Sequence, residues 1–155
     1  MPTVKQAHDI LEARKIIEVA IVKDVIKYAT ASDFDLLRRI VKAEQDNIDD
    51  EHMVEGIQLG GDFHLMLAKI SQNATLERII TTLIPQTSLV IVLYEQPDAP
   101  KCSHLEHFEL IDVMQKGQVD KASELMYNHV QGIKSRLKLE DKEPVGDLVD
   151  IFKKR

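Results

Sequence analysis

Apolar residues recur with helical spacing along almost the whole of this 155-residue chain, and this constrains its fold more than any other feature. From Ala7 onward, leucine, isoleucine, valine and alanine return three, four and seven positions apart, as on one face of an amphipathic helix. Short polar segments and glycines separate six such stretches. The pattern predicts an all-α protein, an antiparallel bundle of about six helices joined by short turns.

The predicted helices begin and end at recognisable signals. Ser32 is expected to cap the second helix, and Gly117 to end the fifth. Pro85 should kink the fourth helix, whose β-branched second half leaves a strand as the alternative. We place the six helices at about residues 7–29, 33–49, 51–72, 74–95, 102–116 and 118–138.

One domain, residues 7–138, accounts for the bundle. Residues 1–6 are interpreted as a linker or an expression remnant, and residues 139–155 as a charged C-terminal tail with room for a short helix at 146–153. Within the third helix, Gly60 and Gly61 are unusual, because each glycine costs about 1 kcal/mol relative to alanine. The pair indicates a bend, a close neighbour or vacated space.

Composition excludes several classes of function. The net charge of −6 and the lack of a basic cluster before the last three residues indicate that the chain by itself binds nucleic acid poorly. No uncharged apolar run reaches the roughly 18 residues of a membrane span. A single cysteine rules out an internal disulfide framework and is typical of a cytoplasmic protein.

Three histidines, His64, His107 and His129, lie on the apolar faces of three different predicted helices. A buried ring nitrogen without a hydrogen-bond partner costs roughly 1–3 kcal/mol, so inward histidines need partners. Three converging imidazoles could bind one divalent metal and leave positions open for water or a ligand. The alternative is that each is a core histidine bonded within the protein.

Other candidate site residues lie nearby in the sequence. Arg14 falls among isoleucines and leucine on the first helix, where its guanidinium could bind a carboxylate through two donors or pair with a glutamate such as Glu12 or Glu18. His104 lies one turn before the second candidate ligand, so it could contact the metal-binding histidines. Glu106, next to that ligand, should point away from its face.

Two segments resemble motifs of a known ligand-binding module. One is DFHLMLA at 62–68 followed by NATL at 73–76, and the other is HFELIDVMQKG at 107–117 followed by LMYNH at 125–129. In order and spacing they are similar to the FCD domain, the C-terminal effector-binding and dimerisation domain of FadR-type regulators in the GntR family. The resemblance covers about residues 7–137.

The resemblance implies a helical bundle with a central cavity, in which His64, His107 and His129 would hold a divalent metal such as zinc, nickel or manganese. A small organic acid would be the effector, with Arg14 as its expected contact. The regulator would be a cytoplasmic homodimer that binds operator DNA through a winged helix-turn-helix domain, which this sequence does not contain.

Two positions depart from the family pattern. The metal-binding aspartate that normally precedes the first histidine by four residues is Gly60 here, and an arginine common in similar sequences is Gln86. Asp62 stands two residues before His64, about 200° around the helix. We therefore expect it at the surface or in contact with a metal-binding side chain, not with the metal itself. A site of three histidines completed by water or effector is therefore predicted.

Three functions are compatible with these residues. The favoured one is a ligand-sensing regulator domain without catalytic residues. A metal-free helical interaction domain with core histidines is the second. A zinc-dependent hydrolase is the least favoured, because no carboxylate is evident as a general base beside the metal.

Overall fold

The computed structural model describes residues 2–101 and 103–138, and these form six α-helices. The described part of the chain contains no strand, although one antiparallel bridge joins Glu95 to Leu137. The all-α prediction is confirmed, while the short helix predicted at 146–153 lies outside the described residues. The helices are α1 (Val4–Tyr28), α2 (Ala31–Asp49), α3 (Met53–Ile70), α4 (Ala74–Tyr94), α5 (Ser103–Gln115) and α6 (Val119–Arg136).

The start of α2 differs from the prediction. Thr30, not Ser32, is the N-cap: its hydroxyl accepts from the backbone N–H of Asp33 at 3.3 Å. The Asp33 carboxylate in turn accepts from the backbone N–H of Thr30 at 2.7 Å. This reciprocal pair satisfies two backbone donors, whereas a cap at Ser32 would satisfy fewer and shorten the helix. The Ser32 prediction is therefore wrong by two residues.

The fourth helix continues through Pro85, so the strand alternative for its second half does not occur. The hydroxyl of Thr87 donates to the carbonyl of Leu83 at 2.9 Å, which satisfies a polar side chain within the helix. By length and composition α4 could cross a membrane. Within the bundle it packs on α3 and α1. Gly117 follows α5 with a φ of 68°, the left-handed conformation predicted for a helix terminator.

The interior of the bundle is lined mainly by aliphatic side chains. The first helix packs against α6, α4 and α3, while α2 packs against α3 and α5. Gly61 permits a close approach of α3 and α4, because a Cβ atom there would lie 2.9 Å from Cγ2 of Ile84. The apolar core includes Leu11, Val22, Leu37, Phe63, Leu67, Ile80, Leu93, Leu110, Met114 and Met126, each no more than 2% exposed.

Candidate metal and effector site

The three predicted histidines meet inside the bundle. His64 comes from α3, His107 from α5 and His129 from α6, and their side chains are buried. The Nε2 atom of His129 lies 3.2 Å from Nε2 of His64 and 3.2 Å from Nε2 of His107. One nitrogen from each ring lies within 4.8 Å of those of the other two. We call these three residues the histidine cluster.

A carboxylate lies against the opposite nitrogen of each ring. Glu18 of α1 contacts Nδ1 of His64, and Glu44 of α2 accepts from Nδ1 of His107 at 2.7 Å. Glu106 accepts from Nδ1 of His129 at 2.6 Å. A carboxylate can only accept, so an Nδ1 that bonds to one carries a proton, and a ring that is neutral in this tautomer keeps its lone pair on Nε2. The three lone pairs therefore point at one another.

Burial keeps two of these rings neutral. It lowers the pKa of His64 to about 4, although Glu18 acts in the opposite direction. Burial, together with the neighbouring rings of the cluster, lowers the pKa of His129 well below its usual value. Neutral imidazole is the form that binds metal. Lone pairs on Nε2 that face one another at 3.2 Å, as between His129 and each of the other two rings, repel unless a cation lies between them.

The spacing of the cluster fits a divalent ion. Nitrogens bound to one zinc ion at about 2.0–2.1 Å with tetrahedral angles lie about 3.3 Å apart. The observed separations of 3.2 Å to His129 agree with that value. Carboxylates behind metal-binding histidines are also usual, because they fix the tautomer and orient the ring. The residues present therefore fit a metal ion.

Arg14 lies beside the cluster and is only 2% exposed. Its Nε donates to Glu18 at 2.5 Å, so the predicted pairing with this glutamate is present. Burial alone would raise the pKa of Glu18, but Arg14 and His64 outweigh it and lower that pKa to about 2. One terminal nitrogen of the guanidinium remains buried without a hydrogen-bond partner. The site thus holds one unused cationic donor.

A cavity of about 60 Å³ joins these groups, several times the volume that one water molecule requires. Arg14 and the histidine cluster line it on one side, and α4 contributes Ile84, Thr87, Ser88 and Ile91. Lys101 and Arg136 lie on its wall as well, the latter paired with Glu95 at 3.2 Å. The cavity therefore combines cationic donors, neutral imidazoles and an apolar wall.

The remaining predicted residues lie elsewhere. Asp62 is exposed and is not part of the cavity wall. His104 is 7% exposed, and its Nδ1 lacks a hydrogen-bond partner, but it does not line the cavity either. Glu12 does not pair with Arg14; it binds Lys15 and Lys134, each at 2.8 Å.

Sequence reasoning missed two of the three carboxylates. Glu44 follows Leu37 and Val41 on the apolar stripe of α2, and that inward position was the signal for a buried partner. Glu106, which we expect to point away from the face of His107, accepts a hydrogen bond from His129 on the adjacent helix. The contact between Glu106 and His129 depends on how α5 packs against α6.

The model of the FCD domain family matches residues 9–132. This chain therefore belongs to the FCD domain family of GntR-type transcription regulators. A curated relative, the Uxu operon regulator of Haemophilus influenzae, is 25% identical over 135 residues, which cover 83% of this chain and 50% of that protein. The chain thus spans about half the length of this relative.

Solved structures of two regulators share the fold. Streptococcus agalactiae GntR superposes with a TM-score of 0.73 at 22% identity, covering 83% of this chain and 58% of that one. Escherichia coli McbR/YncC superposes with a TM-score of 0.75 at 15% identity, covering 87% of this chain and 69% of that one. Both confirm the bundle architecture predicted from the sequence.

Proposed function

We propose that this domain binds a divalent metal through His64, His107 and His129 and uses it to sense a small organic acid. The observation that carries the proposal is the convergence of three buried Nε2 atoms, each on a ring whose Nδ1 faces a carboxylate. Zinc, nickel and manganese all accept imidazole ligands, and the choice among them is left to experiment.

Arg14 is the proposed contact for the effector. When bound, the metal would supply a positive charge to which an effector carboxylate could coordinate. Arg14 would add a charge-assisted hydrogen bond from its unpartnered terminal nitrogen, while Glu18 holds the rest of the guanidinium in place. Binding in a cavity between helices gives such a ligand a means to favour one packing of the bundle over another.

The regulatory role follows from the family. GntR-family regulators act as dimers that bind effectors and DNA. We propose that this domain forms a homodimer in the cytoplasm and that the effector changes operator binding by a winged helix-turn-helix domain of the complete regulator. The effector must bind the two states of the dimer with different affinity, and couplings of about 1–3 kcal/mol are typical.

Elemental analysis of protein purified without chelators or added metal tests the metal site first. We expect about one zinc, nickel or manganese ion per chain. Absence of metal, also after reconstitution at neutral pH, would contradict the proposal and favour a metal-free helical interaction domain.

Calorimetric titration of the metal-loaded protein with small carboxylates tests the effector site. The variant Arg14→Lys keeps a positive charge for Glu18 but loses the second donor, so we expect a roughly tenfold loss of affinity with metal content unchanged. Arg38→Lys, at an exposed ion pair with Asp112, is the matched control. Equal affinities for both variants would remove Arg14 from the site.

A further inference from the structure

Gly60 and Glu44 form a matched pair beside the histidine cluster. A Cβ atom at Gly60 would lie 3.0 Å from Oε1 of Glu44 and 3.6 Å from Cε1 of His107. Glu44 itself is 2% exposed, and its Oε2 accepts from Nδ1 of His107 at 2.7 Å. The carboxylate thus occupies the space that a side chain at position 60 would enter.

The packing of α2 on α3 holds this arrangement in place. One turn away, a Cβ atom at Gly56 would lie 2.7 Å from Cγ1 of Ile48. Glu44 and Ile48 are four residues apart on α2, just as Gly60 and Gly56 are on α3, so two successive turns of the helices meet in register. The close packing of α2 on α3 therefore keeps Glu44 next to position 60.

Burial of a carboxylate at this depth requires compensation, because its charge loses the solvation of water. His107 provides a hydrogen bond, and Gly60 provides room. Each glycine inside a helix costs about 1 kcal/mol relative to alanine, so an alanine at position 60 would stabilise the helix if helix propensity were the only consideration. Space is what Gly60 supplies here.

We propose that Glu44 is the positioning residue of His107. Gly60, which has no side chain, leaves the space that the Glu44 carboxylate occupies. Glu44 holds His107 as the Nδ1–H tautomer with Nε2 directed into the cluster, and a side chain at position 60 would displace it. The carboxylate that supports His107 therefore comes from α2. The effect of Glu44 on metal affinity rests on the function proposed above, whereas its effect on the His107 tautomer does not. Asp62, the acidic residue nearest to Gly60 in sequence, is exposed and supplies no such support.

Competition of the protein with a chromophoric chelator for zinc measures the effect on metal affinity. Glu44→Ala should weaken zinc binding 10–100-fold, the usual cost of removing the partner of a metal-binding histidine. Glu44→Gln, whose amide oxygen can still accept from Nδ1, should recover most of that loss. Asp62→Asn, the matched control at an exposed carboxylate, should bind zinc as the native protein does.

The glycine is tested by a double-mutant cycle. Gly60→Ala should weaken zinc binding about tenfold, because the new Cβ displaces Glu44 from His107. The pair Gly60→Ala with Glu44→Ala should be no weaker than Glu44→Ala alone, since the displaced group is already gone. Additive losses in the cycle would overturn the proposal.

Nitrogen chemical shifts of the His107 ring, measured in metal-free protein, separate this proposal from the metal site itself. We expect the Nδ1–H tautomer in the native protein and Asp62→Asn, and its loss in Glu44→Ala and Gly60→Ala. If the native protein takes up no zinc but the tautomer changes in this way, the metal site fails and the role of Glu44 stands. An unchanged His107 tautomer in Glu44→Ala overturns that role whether or not zinc binds.

Discussion

The histidine cluster and the apolar core occupy the same bundle but depend on different kinds of contact. Core residues such as Leu11, Leu67 and Met126 contact many neighbours of similar chemistry, so no single partner is essential. His107 depends on one oxygen of Glu44, and His64 on one carboxylate of α1. The core tolerates exchange of one aliphatic side chain for another, whereas the cluster requires particular partners at particular distances.

The difference indicates what each region contributes. Buried apolar area stabilises the fold without regard to direction. Buried ion pairs such as that of Arg14 and Glu18 are often no more stabilising than well-packed apolar residues of similar size. A bundle selected for stability alone could therefore replace this polar interior with aliphatic side chains. Its presence is consistent with the ligand-binding role proposed for the site.

The largest effect should come from removing the central ligand, His129. At a free metal concentration about a thousandfold above Kd, binding stabilises the fold by about 4 kcal/mol. His129→Ala should abolish this metal-dependent stabilisation, because its Nε2 lies 3.2 Å from both other rings. Urea unfolding with and without metal measures the difference.

Met126→Ala, one turn away on the same helix, is the control for that variant. It removes a fully buried apolar side chain, so it should cost about 2–5 kcal/mol equally with and without metal. A His129→Ala protein that is still stabilised by metal would erase the contrast between the two regions and remove this residue from the ligand set.

Acid should weaken the cluster before the core. The pKa of His64 falls from 6.5 in an unfolded chain to about 4 in the fold, so the unfolded state binds more protons between these values. The free energy of unfolding of metal-free protein should therefore fall by on the order of 2 kcal/mol between about pH 6.5 and pH 5. Glu18, with its pKa lowered to about 2, adds a further loss only below about pH 4.5.

Urea unfolding in the presence of a chelator measures this pH dependence. His64→Gln should remove the part of the loss between about pH 6.5 and pH 5 that comes from this ring, since glutamine does not titrate, while the lowered pKa of His129 leaves the remainder. A native protein whose stability stays constant over that interval would show that the fold does not lower the pKa of His64.

The smallest effect should come from a helix cap outside both regions. Thr30→Ala removes the acceptor for the backbone N–H of Asp33 and should cost about 1 kcal/mol. Thermal unfolding should report the same loss in metal-loaded and metal-free protein. Ser32→Ala, at the position that is not the cap, should change stability less; a larger loss there would contradict the capping assignment.

Much of the fold could be predicted because its signals are local. Periodicity placed six helices within a few residues of their observed bounds, and Gly117 ends α5 as expected. The cap of α2 was misplaced because Thr30 and Ser32 are both capping residues, and only the reciprocal bond to Asp33 distinguishes them. The position of a helix end thus depends on side-chain hydrogen bonds, which the spacing of apolar residues does not reveal.

By itself, the sequence determined that the chain is helical and that His64, His107, His129 and Arg14 face inward, because a side chain's face follows from its spacing along one helix. The tertiary structure decided which groups those side chains meet. Glu44 and His107 are 63 residues apart and Glu106 and His129 are 23 apart, and each pair spans two helices. Such contacts depend on how helices pack and approach, and no spacing within one helix encodes them.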